Sequence, residues 1–247
     1  MQAYIGGTVP LSAVGWSTNG CIAIFFSGCD FKCGYCHNKE FVGFDDEFLK
    51  DLKDIKKEIL ENSIDSVIFS GGEPCLQRQA LLALARFAKK QGLKVGIETN
   101  GSKPNSIKSL INENLLDFIA LDIKAPLKKE IFEKVTQSKT FFRATEDIIE
   151  SIKQTLGILK ENQDKIQIEI RTTIVPGLIF RKEDVLEIAK DIYGLNCRWV
   201  LQPFKSNKGT LDQKMNNIKS PTKKFLEDLK KLCQKKYSNL RMNIKVQ

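Results

Sequence analysis

Three thiols stand close together in SGCDFKCGYCHN, residues 27 to 38: Cys29, Cys33 and Cys36, in a C-x3-C-x2-C array with His37 directly after. Thiolates at such spacing bind soft metals. Structural zinc takes four ligands, usually as two separated pairs. Here the fourth is missing locally: His37 adjoins Cys36 and would need strained geometry to reach the same ion, and Cys21, Cys75, Cys197 and Cys233 form no second pair. An iron–sulfur cube also takes four thiolates as a rule. Three would leave one iron open to a ligand that is not protein, a catalytic arrangement by the logic that separates open from closed zinc sites.

Other residues suited to chemistry recur just after apolar runs. Ser70-Gly71-Gly72-Glu73-Pro74 offers two glycines that let backbone approach a ligand, and an anionic partner for an ammonium group in Glu73. Further along come Glu98-Thr99-Asn100-Gly101, Asp122-Ile123-Lys124, Arg171 ahead of Val175-Pro176-Gly177, and Gln202-Pro203-Phe204. Each alone is as readily a turn or a buried salt bridge. Their repetition at successive strand ends is what points to one site.

The elements that must position them alternate. Runs at 22–26, 66–70, 94–98, 118–123, 165–175 and 198–204 read as strands. Apolar residues at helical spacing lie between them: Phe48, Leu52, Ile55 and Ile59; Leu81, Leu84, Ala85 and Ala88; a weaker set at Ile107 to Ile111; Ile148, Ile149, Ile152, Leu156 and Leu159; and Val185, Leu186, Ala189 and Ile192. The expected fold is α/β, an incomplete (β/α)6 TIM-like barrel of parallel strands, with chemistry at the C-terminal strand ends. Ser220 and Pro221 read as the N-cap and first turn of a last helix, with Phe225, Leu229 and Leu232 inward and a final short strand after it. The expected organisation is one domain, 1–247, with the barrel at about 20–204 and a basic extension at 205–247.

That extension carries the whole charge excess of +9: it holds 12 Lys+Arg against 3 Asp+Glu, and residues 1 to 204 hold 27 of each. A solvated helix face explains this, as does a docking face for an acidic protein or nucleic acid, the latter not favoured. The start, MQAYIGGTVP, lacks a signal-peptide pattern, and no apolar run approaches the roughly 20 residues a bilayer needs. With 7 cysteines, three of them clustered, a reducing cytoplasmic setting is expected.

With the triad, Gly71-Gly72-Glu73-Pro74 and the later strand-end residues in this order, the chain resembles the radical S-adenosylmethionine enzymes. The resemblance implies one 4Fe-4S cluster with Cys29, Cys33 and Cys36 on three irons and S-adenosylmethionine on the fourth. It implies that Tyr35 lies near the adenine, that Gly71, Gly72 and Glu73 meet the methionine ammonium, and that Asn100, Asp122, Lys124, Arg171 and Gln202 line the cofactor, Arg171 toward its carboxylate.

Within the family, C-x-Y-C-H-N, the GGTVPLS-like start, LDIKAP (121–126) and RTTIVPG (171–177) are similar to the glycyl-radical-enzyme activases, especially the activating protein of anaerobic ribonucleotide reductase. Residues 38 to 72 contain no cysteine, unlike the activases with a ferredoxin-like insert, so electrons would come from a flavodoxin or ferredoxin. Two positions depart: Gly15 and Trp16 stand where activases carry Asp before Pro-Gly, and Lys205 where the formate-lyase type has histidine. The alternatives are a small-molecule enzyme of the 7-carboxy-7-deazaguanine synthase type, a nucleic-acid-modifying enzyme, or an iron–sulfur or zinc interaction module.

Overall fold

A computed structural model of the chain describes residues 1–11, 20–207, 209–237 and 243–246; the segment with Gly15 and Trp16 lies outside them. Its strands are β1 (Gln2–Leu11), β2 (Cys21–Phe26), β3 (Leu49–Asp51), β4 (Ser66–Gly71), β5 (Lys94–Thr99), β6 (Phe118–Asp122), β7 (Gln167–Ile174), β8 (Arg198–Pro203) and β9 (Asn243–Val246). They form one sheet in the order β3-β1-β2-β4-β5-β6-β7-β8-β9.

The six runs read as strands are β2 and β4 to β8, and all are parallel. Helices fill the crossovers: α1 (Leu52–Glu61), α2 (Arg78–Lys90), α3 (Pro104–Asn112), α4 (Lys129–Thr136), α5 (Thr145–Glu161) and α6 (Lys182–Asp191), with α7 (Lys223–Lys236) leading to β9. The result is an incomplete (β/α)6 barrel, extended at both edges. No helix among the described residues is long and apolar enough to cross a membrane.

Period-2 alternation divides each strand between two faces. Ile22, Ile24 and Phe26 on β2 and Val67 and Phe69 on β4 join the large cluster under the helices. Cys21, Ala23, Ile68, Phe118 and Ala120 form a small apolar layer on the opposite, inner face. Continuing that inner parity toward the C-terminal ends gives Ser70, Glu98, Asp122, Arg171, Thr173 and Gln202. The same alternation that builds the floor therefore turns these polar groups inward above it.

Several local expectations are corrected. The antiparallel strands β1 and β3 at one edge, and the short helix α4, are additions. Phe48 sits in a 3-10 turn before α1 rather than in the helix. The last helix is capped by Thr222, whose hydroxyl accepts from the Phe225 N–H at 3.2 Å, and not by Ser220. Its buried face is Leu226, Leu229 and Cys233, with Phe225 and Leu232 half-buried.

Candidate active site

The cysteine loop leaves β2 at Ser27 and is fixed by backbone. Gly28 N–H donates to Phe41 O at 2.9 Å, Cys29 N–H to Val42 O at 2.9 Å, and Cys36 N–H to Cys33 O at 2.9 Å. Between the first two thiols, Asp30 anchors the loop to the β5–α3 turn: it accepts from Asn100 Nδ2 at 2.8 Å and Ser102 Oγ at 2.7 Å, and pairs with Lys103 at 3.2 Å. Arg143, just before α5, adds an ion pair at 3.5 Å.

The loop closes one wall of a cavity of ≈ 580 Å³ whose other walls are the C-terminal ends of β4 to β8. Cys29, Cys33, Cys36, Tyr35, Gly71, Gly72, Asn100, Asp122, Lys124, Arg171 and Gln202 all line it. So do Ser70, Glu98, Thr99, Thr173 and Lys205, which stand in or beside the sequence motifs but are given no cofactor contact there. The inner-face parity of Ser70, Glu98 and Thr173 is the signal that finds them.

Glu73 is different. It is fully buried and lies behind the wall. Its carboxylate accepts from Cys75 N–H at 3.0 Å, Thr99 Oγ1 at 2.8 Å and Asn100 N–H at 2.7 Å. Burial, with Asp30 nearby, pushes its pKa up to about 7, against the three donors that pull it down. The carboxylate thus holds the β5 turn in place, and the anionic groups that face the cavity are Glu98 and Asp122.

Charges inside the cavity are arranged in pairs. Arg171 donates from Nε to Glu169 at 2.6 Å and from Nη1 to Glu98, which also accepts from Ser70 Oγ at 2.6 Å. Lys124 pairs with Asp122 at 3.1 Å. Burial disfavours both cations, but the adjoining carboxylates outweigh it, so both pKa values lie above their ordinary ranges and both groups stay charged. A cavity lined by both signs suits a zwitterionic ligand.

Three observations bear on whether a thiolate-held cluster and a nucleoside cofactor fit here. First, the donors are soft sulfurs, as iron–sulfide clusters require; burial raises all three thiol pKa values, that of Cys33 to about 12, so deprotonation needs a compensating positive charge. Second, Tyr35 Oη is buried without a hydrogen-bond partner at the cavity wall. Third, the Gly71–Gly72 turn is backbone packed on backbone: a Cβ on Gly71 would fall 2.2 Å from Phe26 O, and one on Gly72 2.4 Å from Gly28 O. Among the described residues no three His, Cys, Asp or Glu side chains converge as around a single metal ion. The residues present fit the cluster and cofactor.

Comparison with known proteins agrees. The chain is 32% identical over 248 residues to "Putative glycyl-radical enzyme activating enzyme MJ1227" of Methanocaldococcus jannaschii, covering 97% of this chain and 95% of that one. It is 28% identical over 225 residues to the pyruvate formate-lyase-activating enzyme of Clostridium pasteurianum, covering 84% and 87%. The crystal structure of QueE from Escherichia coli matches in fold with a TM-score of 0.55 at 15% identity, covering 100% of this chain and 95% of that one. The family model of the Radical SAM superfamily matches residues 23–192, and the chain belongs to that superfamily, whose members work with a four-iron, four-sulfur cluster and S-adenosylmethionine.

Proposed function

We propose that this radical S-adenosylmethionine enzyme is a glycyl-radical-enzyme activase, acting as one domain in the cytoplasm, with anaerobic ribonucleotide reductase as its partner. The observation that carries the reading is the match to an activase-named relative over 97% of the chain, together with the single cysteine triad on the cavity wall. When bound and reduced by one electron, the cluster and S-adenosylmethionine supply methionine and a 5'-deoxyadenosyl radical, which takes the α-hydrogen of a partner glycine and leaves a glycyl radical and 5'-deoxyadenosine.

In this reading Cys29, Cys33 and Cys36 hold three irons. Arg171 has two nitrogens engaged by Glu98 and Glu169, which leaves the third for the methionine carboxylate. The Gly71–Gly72 backbone, held against Phe26, Gly28 and Phe41, borders the place of the ammonium, Glu98 supplies negative charge beside it, and Glu73 keeps the neighbouring Asn100 backbone in place. Tyr35 lies along the adenine, while Asn100, Asp122, Lys124 and Gln202 border the nucleoside. The apolar layer beneath these groups excludes water from below.

The test is electron paramagnetic resonance on anaerobically reconstituted protein mixed with reductant, S-adenosylmethionine and the host's anaerobic ribonucleotide reductase, with 5'-deoxyadenosine quantified. A glycyl doublet matched by deoxyadenosine is the expected result. Deoxyadenosine without a doublet would discard the activase reading and leave a small-molecule substrate, such as that of a 7-carboxy-7-deazaguanine synthase type.

A further inference from the structure

The cavity has two unlike halves. On the side of β4 to β6 its charged and polar side chains are engaged with one another: Ser70 donates to Glu98, Glu98 takes Arg171, and Lys124 pairs with Asp122. At the ends of β7 and β8 the polar lining is Thr173, Gln202, Lys205 and Asn207. Thr173 and Gln202 face each other in register across the two strands. Among the described residues none of these four side chains has a hydrogen bond or an ion pair. Polar groups on a cavity wall without a protein partner are satisfied by water or by what enters the cavity.

Lys205 and Asn207 are held in place. Their segment leaves β8 at the fully buried Phe204, whose N–H donates to Ile174 O at 3.1 Å and whose ring meets His37 edge to face with centroids 5.9 Å apart. It rejoins the cysteine loop where Leu211 N–H donates to Cys36 O at 3.2 Å and Asp212 N–H to Gly34 O at 2.8 Å. Both ends are thus fixed to the frame that positions the thiols.

Charge says what this wall can receive. Among the described residues three cations line the cavity, Lys124, Arg171 and Lys205, against two carboxylates, Glu98 and Asp122. Arg171 and Lys124 take both, which leaves Lys205. The carboxylates of the two segments that meet here do not answer it: Glu40 and Asp212 lie outside the cavity, and Asp212 accepts from Lys214 N–H at 3.0 Å. In the cofactor reading S-adenosylmethionine brings one carboxylate, for Arg171, and one ammonium, beside Glu98. The extra cation stays unmatched.

We propose that the β7–β8 wall is the substrate subsite and that Lys205 receives a carboxylate of the substrate, with Thr173 and Asn207 bonding the polar atoms beside it. The substrate is therefore an acid: an acidic glycine loop where a partner protein supplies it, a free carboxylic acid where a small molecule does. The inference rests on the cofactor reading of the cavity, and its peptide form deepens the activase reading.

The experiment measures binding to full-length protein reconstituted with its cluster, unreduced and with S-adenosylmethionine present, for wild type, Lys205→Arg, Lys205→Met and Lys205→Glu. The probes are two pairs: a peptide of the host reductase's glycine loop with its copy in which every carboxylate is an amide, and benzoate with benzamide. Wild type is expected to bind the acidic member of at least one pair about fivefold more tightly at low salt, as one partly exposed charge pair implies, and less so at high salt. Lys205→Arg should keep that preference, Lys205→Met abolish it and Lys205→Glu reverse it. S-adenosylmethionine affinity, measured separately, should stay within about twofold throughout.

Equal binding of acid and amide by wild type, a preference that survives Lys205→Met, or no binding of any probe would each overturn the proposal. So would a Lys205→Met protein whose S-adenosylmethionine affinity falls as far as its probe affinity, which would give the amine to the cofactor. A preference seen with benzoate and not with the peptide would keep the subsite and remove the activase reading, so the two fail separately.

Discussion

Replacing Gly72 by alanine should damage the site at a distance from the atom added. Its Cβ would lie 2.4 Å from both Gly28 O and Phe41 O. To reach even 3.0 Å, each gap must widen by roughly 0.6 Å, and neither neighbour is a side chain that can rotate away. Gly28 O already accepts the Glu73 N–H at 2.8 Å, and Gly28 N–H donates to Phe41 O at 2.9 Å. Pushing both carbonyls strains this small network and carries Cys29, the next residue, with it. Overpacking of this kind costs about 1–3 kcal/mol, and a weakened backbone hydrogen bond adds about 1 kcal/mol. A displacement approaching 1 Å at a reacting centre costs on the order of a hundredfold in rate.

The assay pairs chemical denaturation of the metal-free protein with iron content and deoxyadenosine formation after reconstitution. Gly72→Ala is expected to lose about 2–4 kcal/mol of stability and about a hundredfold in S-adenosylmethionine cleavage. Gly92→Ala is the control: φ is +77° there, but nothing lies within 4 Å of the added carbon. It should lose only about 1 kcal/mol for the left-handed backbone, with cleavage unchanged. A Gly72→Ala protein as stable and as active as wild type would refute the backbone-contact argument.

Other substitutions separate the thiols and the buried carboxylate. Cys33→Ala should keep the fold and lose the iron–sulfur absorption, whereas Cys75→Ala, at an equally buried thiol outside the cavity, should lose about 1 kcal/mol of stability and keep its iron; equal iron in both would sink the triad assignment. For Glu73, burial raises the folded pKa from 4.5 to about 7. Its contribution is therefore fully present below pH 4.5 and is lost as pH rises through 7. In the metal-free protein, wild type should lose roughly 3 kcal/mol relative to Glu73→Gln across that window. Denaturation midpoints that track in parallel from pH 4.5 to 7.5 would remove the linkage.

The parallel strands were legible because a strand covered on both faces needs apolar residues at consecutive positions, and SVIFS or FIALDI has little else to be. β1 was hidden by its own residues: Gly6, Gly7 and Pro10 read as turn signals, yet Pro10 is tolerated near the end of an antiparallel strand close to the sheet edge. α4 is eight residues long, too short to show a full periodic face. The cavity residues were legible as strand-end motifs, but their directions were not. Glu73 belongs to a motif that suggests a ligand contact, and what turns it away is the pair of N–H groups at Cys75 and Asn100, which only the folded chain brings together. At the last helix, Ser220-Pro221 and Thr222 are both plausible starts by residue type. The half-buried Phe225 and fully buried Leu226 show that packing against α6 and β8, rather than capping chemistry, fixes the rotation.

The residues that hold this site together are mostly not those that line it. Asp30 cannot serve as a thiolate ligand, yet it joins the cysteine loop to Asn100, Ser102, Lys103 and Arg143. Glu169, only 3% exposed, takes Arg171 on one oxygen and Arg198 on the other, so a buried carboxylate beneath the cavity orients a guanidinium within it. Glu98 extends the chain to Ser70 on β4. Each paired charge limits the directions its partner can take, and removing one member would leave the other buried and unpaired at several kcal/mol. A cavity that must accept a zwitterion without collapsing its own ion pairs benefits from this: the ion pairs are made before the ligand arrives, and the remaining donors of Arg171 and the unpartnered Tyr35 Oη are left to take new partners.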